Sequence, residues 1–171
     1  FENPLIGILV GAGFTAIIQS SSASVGILQA LAMSGVITLP SAIYVLFGQN
    51  IGTCITAVLA SIGTGRNAKR TTIIHLSFNI IGTIVFVFIS MLTPFASFMQ
   101  SLTPTNIPAQ IANVHTVFNV VTTLLLLPFG AQLVKLSYLV LPEKEGFEDK
   151  LSVKFLDNSI FTNDYHIGTS A

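Results

Sequence analysis

Charged residues are almost absent from the first three quarters of the chain, and this absence limits the possible folds more than any other feature. Between Asn3 and Val134 only three residues are charged, namely Arg66, Lys69 and Arg70. Soluble domains carry about a quarter charged residues, whereas this chain carries 8% and has a mean hydropathy of +0.80. The sequence therefore predicts an all-α polytopic membrane protein whose apolar segments cross the bilayer.

Two of the apolar segments are interrupted by polar residues. The first contains QSSSAS and the second contains GQNIGT, which predicts discontinuous helices broken at about 19–24 and 48–53. Because neither half of the first segment is long enough to span comfortably, that segment is either a tilted broken span or a re-entrant hairpin. The four segments cover about residues 5–33, 42–62, 71–92 and 111–134, the last two unbroken apart from Pro128.

The basic residues predict how the chain is oriented. Residues 63–70 form the only basic loop, so we expect this loop to be cytoplasmic. Two full spans separate it from the charged tail, so the tail is expected on the same side. This predicts a multi-pass transmembrane region over 1–141 in the cell (inner) membrane, followed by a cytoplasmic tail over 142–171.

Several function classes lack support in the sequence. The net charge is zero, which gives no argument for nucleic acid, and the single Cys54 excludes an internal disulfide. The segment SASVG lacks the first glycine of a nucleophile elbow, so we expect no enzyme. The chain starts at Phe1 without a signal-peptide pattern, and we expect it to be a piece of a longer protein.

The polar breaks carry the chemistry that the apolar segments lack. A helix broken inside hydrocarbon leaves backbone groups unpaired, which is tolerated where the break lines a cavity. Serine and threonine hydroxyls, with glutamine and asparagine amides, can donate to an anion and accept from a cation. Because no Lys or Arg lies within a predicted span, a bound anion would need a cation such as Na⁺ beside it. Close packing between helices remains an alternative role for the serines.

A short motif occurs twice, forty residues apart. HLSFNIIGT begins at His75 and HTVFNVVTT begins at His115, and both fit H-x-x-F-N-[IV]-[IV]-x-T. Helical spacing puts three polar side chains on one face of each helix. Hydrogen bonding between helices is favoured over proton transfer as the role of these stripes. The two polar stripes are His75, Asn79 and Thr83, and His115, Asn119 and Thr123.

The order of these motifs resembles a known family. QSSSAS, then GQNIGTCITA, RNAKRTTIIHLSFNIIGT and HTVFNVVTTLLLLPF, is similar to the second repeat of bacterial sodium–phosphate cotransporters of the type II (Na/Pi) family, over about residues 3–160. Family members carry two such repeats in inverted orientation, so the resemblance implies half of an inverted-repeat transporter. The segment EDKLSVKFLDNSIF resembles the lead-in to a PhoU-type helical domain.

The resemblance implies Na⁺-coupled transport of inorganic phosphate, with Na⁺ as the coupling ion and no other cofactor. Only one Q-S-S-S copy is present, so this chain would hold half a site, embedded in the lipid bilayer and completed by the other repeat. Transport of another ion or small solute, or anchoring of a cytoplasmic regulatory domain, are the alternatives. The implied substrate and ion site comprises Gln19, Ser20, Ser21, Ser22, Gln49, Asn50, Thr53 and Thr56. The implied Na⁺ ligands are Gln19, Ser21, Ser22, Asn50 and Thr53.

Overall fold

The computed structural model describes residues 3–143, in which all regular structure is helical. Three segments are long and apolar enough to cross a membrane: Leu39–Ser61, Arg66–Leu92 and Ile107–Val140. The prediction of an all-α polytopic membrane protein is confirmed. The predicted start of a PhoU-type domain lies outside the described residues. In chain order the helices are α1 (Pro4–Ile18), α2 (Ser21–Met33), α3 (Leu39–Gly52), α4 (Cys54–Ser61), α5 (Arg66–Leu92), α6 (Phe95–Leu102), α7 (Ile107–Leu126) and α8 (Gly130–Val140).

The first span, α3 followed by α4, runs antiparallel to α5. Near the middle of α3, the Phe47 carbonyl accepts a hydrogen bond from Thr83 Oγ1 at 3.3 Å. Farther along, the Ala57 carbonyl accepts from Thr72 Oγ1 at 3.2 Å. Residue numbers rise along one helix as they fall along the other, so α5 begins where α4 ends.

The third span, α7 followed by α8, runs antiparallel to α5. The rings of Phe86 and Phe118 lie 5.0 Å apart, and the Arg70 guanidinium lies 3.8 Å over the Tyr138 ring. As a result α3 and α7 begin at the same end of the molecule. We call the other end, where α5 begins with the three basic residues 66, 69 and 70, the basic end.

Helix α1 runs parallel to α3 and packs against it at very short range. Gly7 lies against Tyr44 near the start of both helices, and Gly52 lies against Ala12 farther along. Between them a side chain at Gly48 would collide with the Ile8 carbonyl. Such backbone approach is the usual role of small residues between helices in membranes. It places the start of α1 beside the start of α3, away from the basic end.

Helix α2 returns to the end from which α1 came. Close to its start, the Ser24 carbonyl accepts a hydrogen bond from Gln49 Nε2 at 3.0 Å. Five residues later, Gln29 Nε2 donates to the carbonyl of Pro108 at 3.0 Å, in the first turn of α7. Helices α1 and α2 therefore form a re-entrant hairpin, the second of the two arrangements that the sequence allowed.

A cluster of aromatic rings joins the three spans at the centre of the molecule. The Phe47 ring lies 5.7 Å from Phe86 and 5.4 Å from Phe118, in tilted and edge-on geometries. All three side chains are buried. Aromatic pairs at this separation gain about 0.5–1.5 kcal/mol each beyond their burial. The three spans are thus packed together at their centre, and the hairpin packs against them.

The basic end is fastened by one buried arginine. Arg70 is 4% exposed, donates from Nε to the Leu141 carbonyl at 3.2 Å, and donates from Nη1 to Asn67 Oδ1 at 3.1 Å. Its ring contact with Tyr138 adds a cation–π interaction. The start of α5 and the end of α8 are therefore held together.

The structure corrects the predicted break at 48–53. Helix α3 continues through Gly52, and the Thr53 N–H still donates to the Gln49 carbonyl at 3.1 Å. The discontinuity is confined to Thr53, after which α4 begins. The glycines at 48 and 52 serve close packing against α1 rather than a break. This explains why a glycine-rich, polar stretch remains helical.

Other boundaries also differ from the prediction. The first break is shorter than 19–24, because α2 starts at Ser21. The fourth segment starts earlier, at Ile107, and Pro128 lies in a 3₁₀ turn, Leu127–Phe129, that joins α7 to α8. The preceding loop contains the short helix α6, with Phe95 and Met99 buried on one side. These differences move element ends and leave the order of spans unchanged.

Candidate functional site

The tip of the hairpin is a break of two residues between α1 and α2. Gln19 has φ 58°, in the left-handed region, and its N–H donates to the Thr15 carbonyl at 2.7 Å, which ends α1. Ser20 is extended, with φ −140°, and its Oγ accepts from the Ala23 N–H at 3.3 Å, which starts α2. The sequence places an αL residue and a serine N-cap side by side, and the chain reverses there.

This break presents the start of α2 beside α3, within the length of the first span. The first-turn N–H groups of a helix have no carbonyl of their own helix to bond, and the helix dipole makes this end favourable for anions. The side chains of Gln19, Ser20 and Ser22 are exposed, and we call the surface they form the open face of the hairpin tip. The side chain of Ser21 is half-buried. The four tip residues therefore lie together with unused donors at a helix N-terminus.

The predicted companion residues on α3 and α4 divide into two groups. Gln49 reaches the hairpin through its bond to the Ser24 carbonyl. Asn50, Thr53 and Thr56 bond carbonyls of their own segment, of Leu46, Asn50 and Thr53 respectively, at 3.1, 2.6 and 2.9 Å. Among the predicted companions, the structure thus brings Gln49 into contact with the hairpin, while the other three side chains bond locally.

Three buried oxygen atoms at this junction have no hydrogen-bond donor among the described residues: Thr15 Oγ1, Ser24 Oγ and Gln49 Oε1. Thr15 and Ser24 are fully buried and Gln49 is 2% exposed. Thr15 packs against Gly52, one turn beyond Gln49, and Ser24 is held by the Gln49 amide, so the three belong to one junction of α1, α2 and α3. Unpaired oxygens at this depth are costly unless they have a ligand.

Thr15 and Ser24 were not among the predicted site residues. Ser24 belongs to QSSSAS itself, and Thr15 lies one helical turn before Gln19. Taking the whole motif and extending it by one turn on its N-terminal side would have included both. Because their burial depends on contacts with α3, the sequence alone could not show that these two hydroxyls are buried and without a hydrogen-bond partner among the described residues.

The stripe on α5 binds α5 to the first span. Asn79 is 5% exposed and its Nδ2 donates to Cys54 Sγ at 3.4 Å and to the His75 carbonyl at 3.0 Å. Thr83 is also buried and bonds Phe47. The His75 side chain is exposed in this chain. Two of the three residues in this stripe therefore serve contacts between helices.

The stripe on α7 bonds within its own helix. Asn119 Nδ2 donates to the His115 carbonyl at 2.8 Å, and Thr123 Oγ1 donates to the Asn119 carbonyl at 2.7 Å. His115 and Asn119 are half-buried, and Thr123 is exposed. The repeated motif thus has different partners on the two helices.

The chemistry of the site is that of neutral oxygen and nitrogen groups. Within residues 3–143 no three His, Cys, Asp or Glu side chains cluster in a way that could hold a metal ion. Hydroxyl, amide and carbonyl oxygens suit hard cations, while hydroxyls and N–H groups suit an oxyanion. The groups at the hairpin tip and at the junction are therefore of the kinds that bind small ions of either sign.

Membrane spans, a re-entrant hairpin and a polar break at its tip together define a polytopic membrane protein of the kind in which transporters hold solutes within the bilayer. Residues 1–135 match the family model described as Na+/Pi-cotransporter, and the chain belongs to that family. This is a family of transporters.

Relatives of the chain include both bacterial and animal proteins. The uncharacterised protein YqeW of Bacillus subtilis is 44% identical over 138 residues, which is 80% of this chain and 44% of YqeW. The human sodium-dependent phosphate transport protein 2B is 43% identical over 84 residues, 47% of this chain and 12% of that protein. YjbB of Salmonella typhimurium, provisionally named an inorganic phosphate export protein, is 27% identical over 157 residues, 91% of this chain and 28% of YjbB.

The chain spans less than half the length of these relatives. No solved structure matches it.

Proposed function

We propose that the protein to which this chain belongs transports inorganic phosphate across the cell membrane together with Na⁺. The observation that carries this proposal is the break at Gln19 and Ser20, which places the N-terminus of α2 at the tip of a re-entrant hairpin. Membership of the Na+/Pi-cotransporter family supports the identity of the substrate. Phosphate is the anion and Na⁺ the coupling ion, with no further cofactor.

The anion is held at the tip of the hairpin. The free N–H groups of the first turn of α2 and the hydroxyls of Ser20, Ser21 and Ser22 donate hydrogen bonds to phosphate oxygens, and the Gln19 amide adds another donor. The start of a helix supplies about half a positive charge. No basic side chain is needed at this point of the chain.

The cation is held close by, where oxygen atoms are available without donors. Thr15 Oγ1, Ser24 Oγ and Gln49 Oε1 supply neutral ligands. Asn50 and Thr53, which bond carbonyls of their own segment in this structure, would have to turn toward the hairpin tip to join them. A Na⁺ ion here offsets the charge of phosphate, because the Coulomb attraction of opposite ions is large in a medium of low dielectric constant. This attraction couples the binding of the two ions.

One chain of this length supplies half of the transport site. The tip residues Gln19, Ser20 and Ser22 are exposed within the described residues, so their open face has room for another surface. We propose that the other repeat of the same transporter covers this face in inverted orientation. The longer relatives have length for a second repeat.

The basic end faces the cytoplasm in this proposal, because positively charged loops are retained on that side. The charged tail then starts on the cytoplasmic side as well. Uptake is the proposed direction. The name of the YjbB relative favours export as the second candidate.

Radiolabelled phosphate uptake into proteoliposomes tests the proposal. The full-length protein should accumulate phosphate when a Na⁺ gradient is imposed and should not do so with K⁺. Ser21→Ala should reduce this uptake about ten- to a hundredfold, because a hydrogen bond to a charged group contributes roughly 1.5–3 kcal/mol. Ser34→Ala is the control, since within residues 3–143 the one hydrogen bond of Ser34 Oγ is to the Leu31 carbonyl, at the far end of α2.

Equal uptake in Na⁺ and K⁺ would indicate transport of phosphate without sodium coupling. Absence of phosphate uptake with intact binding of another solute would support a transporter or channel of different specificity. Absence of any flux would leave the role of membrane anchor for a regulatory domain. Wild-type uptake by the Ser21→Ala variant would show that the serines serve helix packing.

A further inference from the structure

One face of α7 carries Pro108 and two polar side chains, those of His115 and Asn119, that the proposed function has not used. Pro108, His115 and Asn119 are spaced by seven and four residues, so they lie on the same side of the helix. In the first turn of α7, on this face, the Pro108 carbonyl accepts the hydrogen bond from Gln29 of α2. The face that includes His115 is therefore the face of α7 that meets the hairpin.

The matching face of α2 leads from that bond to the hairpin tip. Ser22 precedes Gln29 by seven residues, which is two helical turns, so both lie on one side of α2. Helices α2 and α7 are antiparallel, so residue numbers fall along α2 as they rise along α7. Starting from the bond between Gln29 and Pro108, seven residues, or about 10 Å, lead toward the hairpin tip to Ser22 on α2 and to His115 on α7. The register places His115 opposite Ser22, at the depth of the break.

The environment of His115 is unusual for a membrane interior. Its side chain is half-buried, eight residues from the start of α7, and no group within residues 3–143 forms a hydrogen bond with its ring. The Asn119 amide bonds the backbone carbonyl of His115 instead. A half-buried polar ring without a hydrogen-bond partner is costly in a membrane protein, so a bound polar ligand would stabilise it.

We propose that His115 forms the second wall of the substrate site and donates a hydrogen bond from its ring to the tetrahedral oxyanion that the hairpin tip holds. This inference rests on the proposed function and extends it from the hairpin to α7. The hydroxyl of Ser22 and the imidazole N–H of His115 then approach the oxyanion from opposite sides.

Substitutions at His115 test the inference through the separate dependence of uptake on phosphate and on Na⁺. His115→Leu should raise the KM for phosphate about tenfold or more, because the site loses a hydrogen bond to a charged group. The Na⁺ concentration for half-maximal uptake should stay within about twofold at saturating phosphate. His115→Gln retains an N–H donor and should keep the phosphate KM within about threefold of wild type.

Thr116→Ala is the matched control. Thr116 is the next residue on α7, is exposed, and lies on a different face of the helix. Removing the Thr116 hydroxyl should leave the KM for phosphate and the Na⁺ concentration for half-maximal uptake unchanged. Expression level and melting temperature of all variants are measured so that a folding defect is distinguished from a binding defect.

Crosslinking tests the geometry independently of transport. In the full-length protein with Cys54 and any cysteine outside this chain replaced by serine, Ser22→Cys and His115→Cys should be joined by a short bifunctional thiol reagent, and inorganic phosphate with Na⁺ should slow the reaction. Crosslinking of Ser22→Cys with Thr116→Cys should be much weaker. If wild type transports phosphate while His115→Leu keeps a wild-type KM, or the 22–115 pair does not crosslink, this inference alone is overturned. Absence of phosphate uptake by wild type overturns the proposed function and this inference together.

Discussion

Gln19 shows how a single residue sets the shape of the site. Among the described residues other than glycine, it is the one with a positive φ, at 58°. The left-handed conformation costs about 1 kcal/mol for a residue with a Cβ, and glycine would adopt it without that cost. A glutamine here therefore gives up stability, and the gain must come from its amide, which lies exposed at the hairpin tip.

Gln19→Gly separates the backbone role of this residue from its side-chain role. We expect the variant to keep the break and to be at least as stable as wild type, because glycine relieves the strain at φ 58°. We also expect Na⁺-dependent phosphate uptake by the full-length protein to fall about tenfold, since the amide is lost. Melting temperature and initial uptake rate are the two measurements. Wild-type uptake would show that the turn, and not the amide, is what the site requires.

Thr15 offers a test of the cation site, because valine has almost the same shape and lacks the hydroxyl. The Thr15 oxygen is fully buried and has no donor among the described residues. If it binds Na⁺, Thr15→Val should raise the Na⁺ concentration for half-maximal uptake about tenfold, with a smaller change in the phosphate KM. If the hydroxyl has no ligand, the same substitution should stabilise the protein and leave Na⁺ dependence unchanged. Ser34→Ala again serves as the control.

At the scale of elements, the pairing of α1 with α3 determines where the hairpin lies. Gly11 and Gly48 lie where a side chain would meet the carbonyls of Val45 and Ile8. Without this close approach α1 would separate from α3, and Thr15 would no longer reach Gly52. The glycines therefore act on the site at a distance, through the position of the hairpin.

Gly48→Ala should lower the free energy of unfolding of the full-length protein by about 1–3 kcal/mol, because the added methyl group meets backbone that cannot move aside. Gly130→Ala is the matched control, as Gly130 is helical and an added Cβ there has nothing within 4 Å. That substitution should be neutral or stabilising by about 0.5–1 kcal/mol. Thermal unfolding in detergent measures both. Equal stability of the two variants would contradict the packing role of Gly48.

The elements that composition alone determines were predicted well, and those that depend on distant contacts were not. The spans follow from apolar length, since hydrocarbon tolerates little else. The second break was placed too widely because Gly48 and Gly52 resemble a helix breaker in sequence, while their partners Ile8 and Ala12 lie some forty residues earlier. Whether the first segment crosses or returns depends on Gln29 meeting Pro108, a contact between residues 79 positions apart.

For the molecule as a whole, the hairpin fixes which parts of the chain share a side. Both ends of the hairpin lie where α3 and α7 begin, whereas the loop around Arg66 and the end of α8 lie at the basic end. A transmembrane crossing for α1–α2 would reverse the side on which the chain before Pro4 lies. Within the described residues the three spans from α3 to α8 give three crossings, and the hairpin adds none.

Cysteine labelling in intact cells tests this arrangement in the full-length protein after Cys54, the single cysteine of this chain, and any cysteine outside it have been replaced by serine. Gly35→Cys, in the loop after the hairpin, should react with a membrane-impermeant maleimide added outside the cell. Thr64→Cys, in the basic loop, and Glu143→Cys, after α8, should react only once the membrane is permeabilised, because basic loops are retained in the cytoplasm. If Thr64→Cys and Gly35→Cys label from the same side, the first span does not cross. If all three label with sides exchanged, the packing holds and the proposed orientation is reversed, which would place the charged tail outside the cytoplasm.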